Sequence, residues 1–499
     1  MNETGKTIAK NASVLMVSQL ITWSLTLTLM VFLPRALGAT AMGQYHLANS
    51  IWAIAGVFAI FGMDMFLTKE ASRHPNNISD TFGVILVFRA FIFTLSFGFV
   101  ALYVQFAGYE AETVRVIFII GLAGFFVLFS GICRAALQGI ERMEFISLAD
   151  IIGKAFMTVG GLTALFLGQG IVVIGFIVIG ASVVNLLIQG YFLNRVRPIQ
   201  FRFSWQVTKQ VMQESFPYFL VSVFAVIYVQ IDIVVISLLV NEEVVGWYGV
   251  ADIVSGTLMF VPVIFITAVF PALTRLHASE DESNMQGKLM SKSFDLLVLL
   301  SIPIGLGVMI LASPIVVLLF GEEFINSGPI LSVIGVVLIL MYQNILLGRF
   351  IISIDRQKIF TVIMAVATVA TLPLDLLLVP LCQDMFGNGA IGGALTFLIT
   401  ETGVMIASLY VLPKGLIGWQ NGWTAGRAFV AGLAMVVAVW FFRDYFIAIP
   451  VVIGAAVYLL MIILMRVVPK EDWMLLGDLA KYLLTQLRGL KAKKFGSKR

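Results

Sequence analysis

Met42-Gly43-Gln44-Tyr45-His46-Leu47-Ala48-Asn49 reappears 203 positions further along the chain as Val245-Gly246-Trp247-Tyr248-Gly249-Val250-Ala251-Asp252. Two smaller echoes lie outward from it. Glu141-Arg142 returns 214 positions later as Asp355-Arg356. Gly168-Gln169-Gly170, with Tyr191 after it, returns 219 positions later as Gly387-Asn388-Gly389, with Tyr410 after it. The order is kept and the offset grows slowly, as in a duplicated half that has gained small insertions. Both copies are strings of apolar segments, so the expected architecture is two-lobed and built within a membrane.

Composition agrees. Apolar residues make up 60% of the chain and charged residues only 12%, with a mean hydropathy of +1.00. Soluble domains carry roughly 25% charged residues, so this chain needs lipid as its solvent. Cys133 and Cys382 are the two cysteines, and His46, His74 and His277 the three histidines. Neither set has metal-ligand or disulfide-framework spacing. The apolar run from about Asn11 to Leu33 is too long for a signal-peptide core and reads as a retained first transmembrane helix.

A helix needs about 20 apolar residues to cross a bilayer. That rule predicts an all-α polytopic protein with about 14 transmembrane helices, from 11–33 and 44–66 at one end to 425–445 and 447–467 at the other. Residues 1–197 form an expected N-terminal six-helix lobe and residues 198–413 a second, repeated one. Residues 414–468 hold helices 13 and 14. The runs are continuous rather than alternating, which excludes a barrel. With both termini in the cytoplasm, the outer segments hold only Arg35, Arg115 and Arg443 of the 32 Lys and Arg residues. That bias sets the expected orientation. An even number of helices per copy makes the two bundles parallel, related by an axis along the membrane normal.

Residues 469–499 differ in kind. Trp473, Leu475, Leu476, Leu479, Leu483, Leu484 and Leu487 recur at helical spacing, and Lys491, Lys493, Lys494, Lys498 and Arg499 follow. The expectation is an amphipathic helix on the inner leaflet, its basic end favouring anionic lipid at about 1 kcal/mol per charge. A basic tail with no role beyond orientation is the competing reading. No basic patch lies on a soluble domain, so nucleic acid is not an expected partner.

Ionisable residues within lipid are costly and mark function by default. The first half places Asp64, Arg89, Asp150 and Lys154 inside helices; the second places Asp232, Asp252, Asp295, Asp375 and Glu401 there. Helical rise puts Arg89 and Lys154 roughly 12 Å deep from the inner side. Buried cations suit an anionic substrate, and Arg suits phosphate through its forked donors. Arg89 and Lys154 are therefore the candidate substrate contacts. Asp232, Asp252, Asp375 and Glu401 are candidates for coupling to H⁺ or Na⁺. Two structural readings stay open: Asp150 and Lys154 neutralising each other at i,i+4, and Arg89 pairing with Asp64. Glu141-Arg142 and Asp355-Arg356 fit loop caps or gating salt bridges better than substrate contacts. No enzyme motif is present: Gly5-Lys6-Thr7 lacks the upstream glycine and strand of a phosphate-binding loop. No bound cofactor is expected, and transport would draw on a gradient or the membrane potential.

Ala9-Lys10-Asn11-Ala12, Pro34-Arg35-Ala36-Leu37-Gly38, Met42-Gly43-Gln44-Tyr45, Phe61-Gly62-Met63-Asp64, Thr68-Lys69-Glu70-Ala71, Gln230-Ile231-Asp232 and Val245-Gly246-Trp247-Tyr248-Gly249 together resemble the polysaccharide transporter family of prokaryotic flippases. That family is allied to the multidrug and toxin extrusion (MATE) exporters and the lipid II flippases. The resemblance covers helices 1 to 12. It implies a V-shaped pair of six-helix bundles with alternating access in a prokaryotic cytoplasmic membrane. The implied cargo is a polyprenyl-diphosphate-linked oligosaccharide, whose diphosphate Arg89 would meet, and the implied partners are glycosyltransferases or a polymerase. A cation-coupled MATE-type drug exporter is the alternative, and buried cations weigh against it. A non-transporting scaffold for glycosyltransferases is the third reading.

Overall fold

A computed structural model describes residues 3–74, 78–201, 203–277, 283–413 and 415–467. Every regular element among them is helical. The helices are α1 (Glu3–Ile60), α2 (Met63–Arg73), α3 (Ile78–Ala107), α4 (Ala111–Gly139), α5 (Met143–Phe166), α6 (Ile171–Val196), α7 (Trp205–Leu239) and α8 (Glu242–Leu258). They continue as α9 (Phe260–His277), α10 (Ser283–Phe320), α11 (Ser327–Ser353), α12 (Gln357–Phe386), α13 (Ala390–Val411), α14 (Trp419–Trp440) and α15 (Ala448–Leu464). Twelve stretches among the described residues are long and apolar enough to cross a membrane, and α15 is a shorter apolar helix. The first stretch, Val17–Ile60, has 44 residues, about twice what one crossing needs.

That stretch is two crossings. Gly38, at φ 80° and ψ 176°, interrupts α1, a conformation that only glycine adopts without strain. The limb before it runs parallel to α5: Ser18 Oγ donates to the Ser147 carbonyl and the Leu25 carbonyl accepts from Thr158 Oγ1. The limb after it runs parallel to α4, with Gln44 on Thr113, Trp52 on Ile117 and Gly56 beside Leu128. α4 and α5 are antiparallel across a tight turn, with Arg134 bonded to Asp150. The two limbs of α1 therefore run in opposite directions, and the count of crossings comes to about fourteen.

The duplication is visible in backbone detail. Glu141 (φ 60°) and Asp355 (φ 59°) are both left-handed. Around each, three amide donors make the same bonds: Ile140 to Ala136, Glu141 to Gln138 and Arg142 to Leu137, then Ile354 to Phe350, Asp355 to Ile352 and Arg356 to Ile351. This is one helix-ending motif used twice. The repeated acidic-Arg pairs thus terminate helices. Arg356 Nη1 also caps α13 through the Val411 carbonyl at 2.8 Å.

The chain folds as two bundles. In the first, α1 packs on α4 and α5, and α6 packs on α4 and α5; in the second, α10 packs on α11, α13 on α11 and α12, and α7 on α12. α14 lies on α10 and carries α15. The opening repeat is the joint between the bundles. A β-carbon on Gly43 would overlap the Glu242 carbonyl oxygen, and one on Gly246 would overlap that of Ala39. The two glycines are equivalent positions of the duplication, and they meet because only bare backbone permits so close a helix crossing.

From that joint the second limb of α1, with α2, follows α7 throughout. Ser50 Oγ donates to Gln230 at 2.7 Å, Phe61 stacks on Phe219 at 4.5 Å, and Lys69 pairs with Glu214 at 3.8 Å. The other side of the interface parts. α9 packs mainly on α8, α10 and α11, and an edge contact of Trp23 with Phe260 at 5.9 Å marks where it leaves α1. Toward the N-terminus the bundles thus meet along α2 and α7 but, among the described residues, not along α1 and α9, which leaves a lateral split on that side. The expected amphipathic tail, residues 469–499, lies outside the described residues.

Candidate functional site

A cavity of about 690 Å³ lies within the first bundle. Helical spacing builds its walls. Gln19, Thr22, Trp23 and Thr26 form one face of α1; Asp150, Gly153 and Lys154 form one face of α5; Ser182 and Asn185 come from α6, and Ser130, Gly131 and Arg134 from α4. Residues three and four apart share a helix face, so each helix turns a polar stripe inward while its other side meets lipid. The volume falls within the range of small-molecule sites.

The charges inside it are divided unequally. Arg134 Nη2 stands 3.0 Å from Asp150 Oδ2. Asn185 Nδ2 donates to the other Asp150 oxygen at 3.4 Å, while its own oxygen accepts from Ser130 at 2.6 Å and Gln189 at 2.8 Å. Asp150 is thus engaged across the bundle rather than by the lysine one turn along its own helix. Lys154 lines the cavity, is exposed to it, and makes no ion pair among the described residues. The site presents one uncompensated cation amid hydroxyl, amide and aromatic groups.

Arg89 sits behind this wall. Its side chain is 0% exposed, and its Nη2 donates to Asp64 Oδ1 at 2.6 Å. Nη1 donates to the Leu128 carbonyl at 2.5 Å, and Nε has no hydrogen-bond partner among the described residues. Gly131 is the part of the cavity wall nearest to it: a β-carbon there would lie 3.2 Å from Arg89 Nη1. The structure thus brings Lys154 into the cavity and holds Arg89 one residue outside it, in the pairing with Asp64. Asp64 follows a break at Phe61 (φ 48°) and Gly62 (φ 70°), which starts α2 and places the carboxylate in its first turn, where the helix dipole favours it.

The four candidate carboxylates of the second bundle fall into three places. Asp232 on α7 and Asp375 on α12 are buried and in side-chain contact with each other. Tyr248 Oη donates to Asp232 at 3.0 Å, and Thr396 neighbours Asp375. Three carboxylate oxygens of this pair have no hydrogen-bond donor among the described residues. Glu401 on α13 belongs to a separate knot, accepting from Tyr228 at 2.8 Å and from Asn344 at 2.6 Å. Asp252 is on an exposed face of α8, within 3.4 Å of Ser255. Arg134, Trp23 and Asn185 are the site residues that reading by charge missed. Arg134 stands near a helix end, where a snorkelling role was the simpler reading, and neutral Trp and Asn carry no signal beyond their helical spacing.

A family model described as polysaccharide biosynthesis protein matches residues 8–277. A Shigella flexneri protein named as an O-antigen transporter is 22% identical over 318 residues, 61% of this chain and 74% of that protein. A Haloferax volcanii protein named as a low-salt glycan biosynthesis flippase is 21% identical over 372 residues, 74% of this chain and 76% of that one. Among solved structures, the lipid II flippase MurJ in an inward closed conformation matches with a TM-score of 0.72 at 16% identity, covering 92% of this chain and 99% of that one. An inward-facing MATE family multidrug transporter matches with a TM-score of 0.60 at 14% identity, covering 84% and 94%. Likeness at these identities speaks to the fold.

Proposed function

Because the chain belongs to the polysaccharide biosynthesis protein family, we propose that it flips a polyprenyl-diphosphate-linked oligosaccharide from the inner to the outer leaflet of a prokaryotic cytoplasmic membrane. The observation that carries this reading is a polar cavity with one uncompensated cation, beside a lateral split between α1 and α9. A lipid-linked sugar needs both. Its head group requires a wet, hydrogen-bonding site, and its tail requires an opening onto bilayer. On this reading Lys154 meets the diphosphate directly. Arg89, its donors engaged by Asp64 and Leu128, adds positive field across the Gly131 gap. Trp23 and Asn185 face the sugar, as flat apolar and amide groups suit a ring of hydroxyls.

The positive-inside bias supports an orientation with both termini in the cytoplasm; on it, the crossing at Gly43 and Gly246 would face outward and the split inward. Asp232 and Asp375 are the favoured coupling pair: two carboxyl groups in contact need a proton or a cation between them. The basic tail would hold anionic inner-leaflet lipid, and glycosyltransferases or a polymerase would hand over or receive the cargo.

The test is reconstitution. Proteoliposomes carrying a polyprenyl-diphosphate oligosaccharide in one leaflet should expose it to an external glycosidase only when the protein is present. Lys154→Gln should slow this at least tenfold, while Lys154→Arg retains most of it, since a charge-assisted bond to phosphate is worth about 1.5–3 kcal/mol. Equal rates for Lys154→Gln and the parent would remove Lys154 from the site. Cation efflux without sugar flipping would favour the MATE-type reading instead.

A further inference from the structure

The helix that links the joint to the split is broken at mid-length. α8 ends at Leu258 and α9 begins at Phe260. The cause is Pro262, which has no N–H, so the Leu258 carbonyl four residues earlier has no donor within its own helix. Backbone bonding resumes one residue on, where the Val263 amide donates to the Met259 carbonyl at 3.3 Å. A carbonyl left without a donor inside a membrane is costly. Tyr342 of α11, fully buried, supplies one: its hydroxyl donates to the Leu258 carbonyl at 2.8 Å.

The two sides of this break are held differently, although both pack on α11. α8 is fastened to the first bundle by the backbone crossing at Gly43 and Gly246 and by Gly249 against the His46 ring. α9 leaves with the second bundle and packs on α10 and α11. The angle between them therefore sets how far α9 stands from α1 below Trp23. We propose that Tyr342 is a positioning residue for transport: by donating to the Leu258 carbonyl it holds the bend between α8 and α9, and with it the width of the lateral split. The bond satisfies the carbonyl that proline leaves open at the break between α8 and α9. Its role in transport rests on the flippase reading; the bend itself does not.

The test is a double-mutant cycle on the full-length protein in proteoliposomes. Tyr342→Phe removes only the hydroxyl. Pro262→Ala restores an N–H that can take the Leu258 carbonyl within the helix. Spin labels at Leu20 on α1 and Thr267 on α9 report the width of the split, and the flipping assay reports turnover. In the Pro262 background, Tyr342→Phe should shift or broaden the label distance and change flipping about fivefold, the weight of one net hydrogen bond. In the Pro262→Ala background, the same substitution should change neither by more than about twofold, because the carbonyl no longer needs the tyrosine. Equal effects in both backgrounds, or an unchanged distance in Tyr342→Phe, would overturn the proposal. If Tyr342→Phe does not insert but the double variant does, the proposal stands; if both fail alike, it falls. A parent that does not flip, with the distance cycle intact, removes the flippase reading and leaves the bend.

Discussion

Asp64→Asn separates two roles for Arg89. The guanidinium is sealed from solvent, and its Nη2 lies 2.6 Å from a carboxylate that is 34% exposed. At that distance, with an effective dielectric of about 20, the attraction is about 6 kcal/mol. The solvent access of Asp64 screens about half of it, leaving about 3 kcal/mol, the lower end of what breaking a buried pair costs. Asparagine keeps the shape and the carbonyl acceptor, so the loss is almost wholly the charge. The expected result is a marked drop in thermal unfolding temperature in detergent. Arg89→Met in the Asp64→Leu background should recover most of it, because two apolar side chains leave no orphan charge. Intrinsic fluorescence or a thiol-reactive unfolding dye, reporting exposure of buried Cys133 and Cys382, provides the assay. An Asp64→Asn protein as stable as the parent, yet unable to flip, would refute this reasoning: Arg89 would then serve the substrate and the pair would not hold the fold.

Gly246→Ala should weaken the joint between the bundles by about 1–3 kcal/mol, since the new methyl meets a backbone carbonyl that cannot rotate away; Gly256→Ala, with open space around it, is the control, and thermal stability reads both. Asp232→Asn and Asp375→Asn should each abolish the dependence of flipping on a H⁺ or Na⁺ gradient, and the double variant should be no worse than either single, because the pair holds one shared charge site; gradient-jump assays check this. Glu323→Ala removes the acceptor of the Ala39 amide, 2.9 Å away, which starts the second limb of α1. The loss of about 1 kcal/mol should favour opening at the crossing of Gly43 and Gly246, read as faster labelling of Ser50→Cys by a membrane-impermeant thiol reagent. Arg35→Ala, which frees the Leu318 and Leu319 carbonyls at the end of α10, should act in the same direction.

The pattern of legibility follows from range. Runs of apolar residues, breaks at Gly38, Gly168 and Gly387, and the bias of Lys and Arg are local properties, and a membrane translates them directly into crossings. The repeat is legible for the same reason, because a duplicated backbone keeps its turn residues. Asp355 and Glu141 occupy the same left-handed position although their side chains differ by a methylene. Depth along a helix was an expectation the sequence could supply, with Arg89 and Lys154 at similar levels. Rotation about the helix axis was not. One face of α5 aims Lys154 into the cavity, while α3 turns Arg89 toward Asp64 and Leu128.

The sequence by itself determined a membrane protein of two parallel, duplicated bundles and named the buried charges worth examining. Only the tertiary structure decided which charge meets which. Asp150 takes Arg134 from the neighbouring helix and leaves Lys154 without an ion pair among the described residues, because a partner 16 positions away lies closer across the bundle than a side chain one turn along. It also decided that the two copies of the repeat touch, glycine backbone against carbonyl, and that Tyr342 completes a hydrogen bond which Pro262 denies to Leu258. Each of these depends on contacts between residues far apart in the chain. Spacing along one helix constrains its face, but the helix packed opposite supplies the partner.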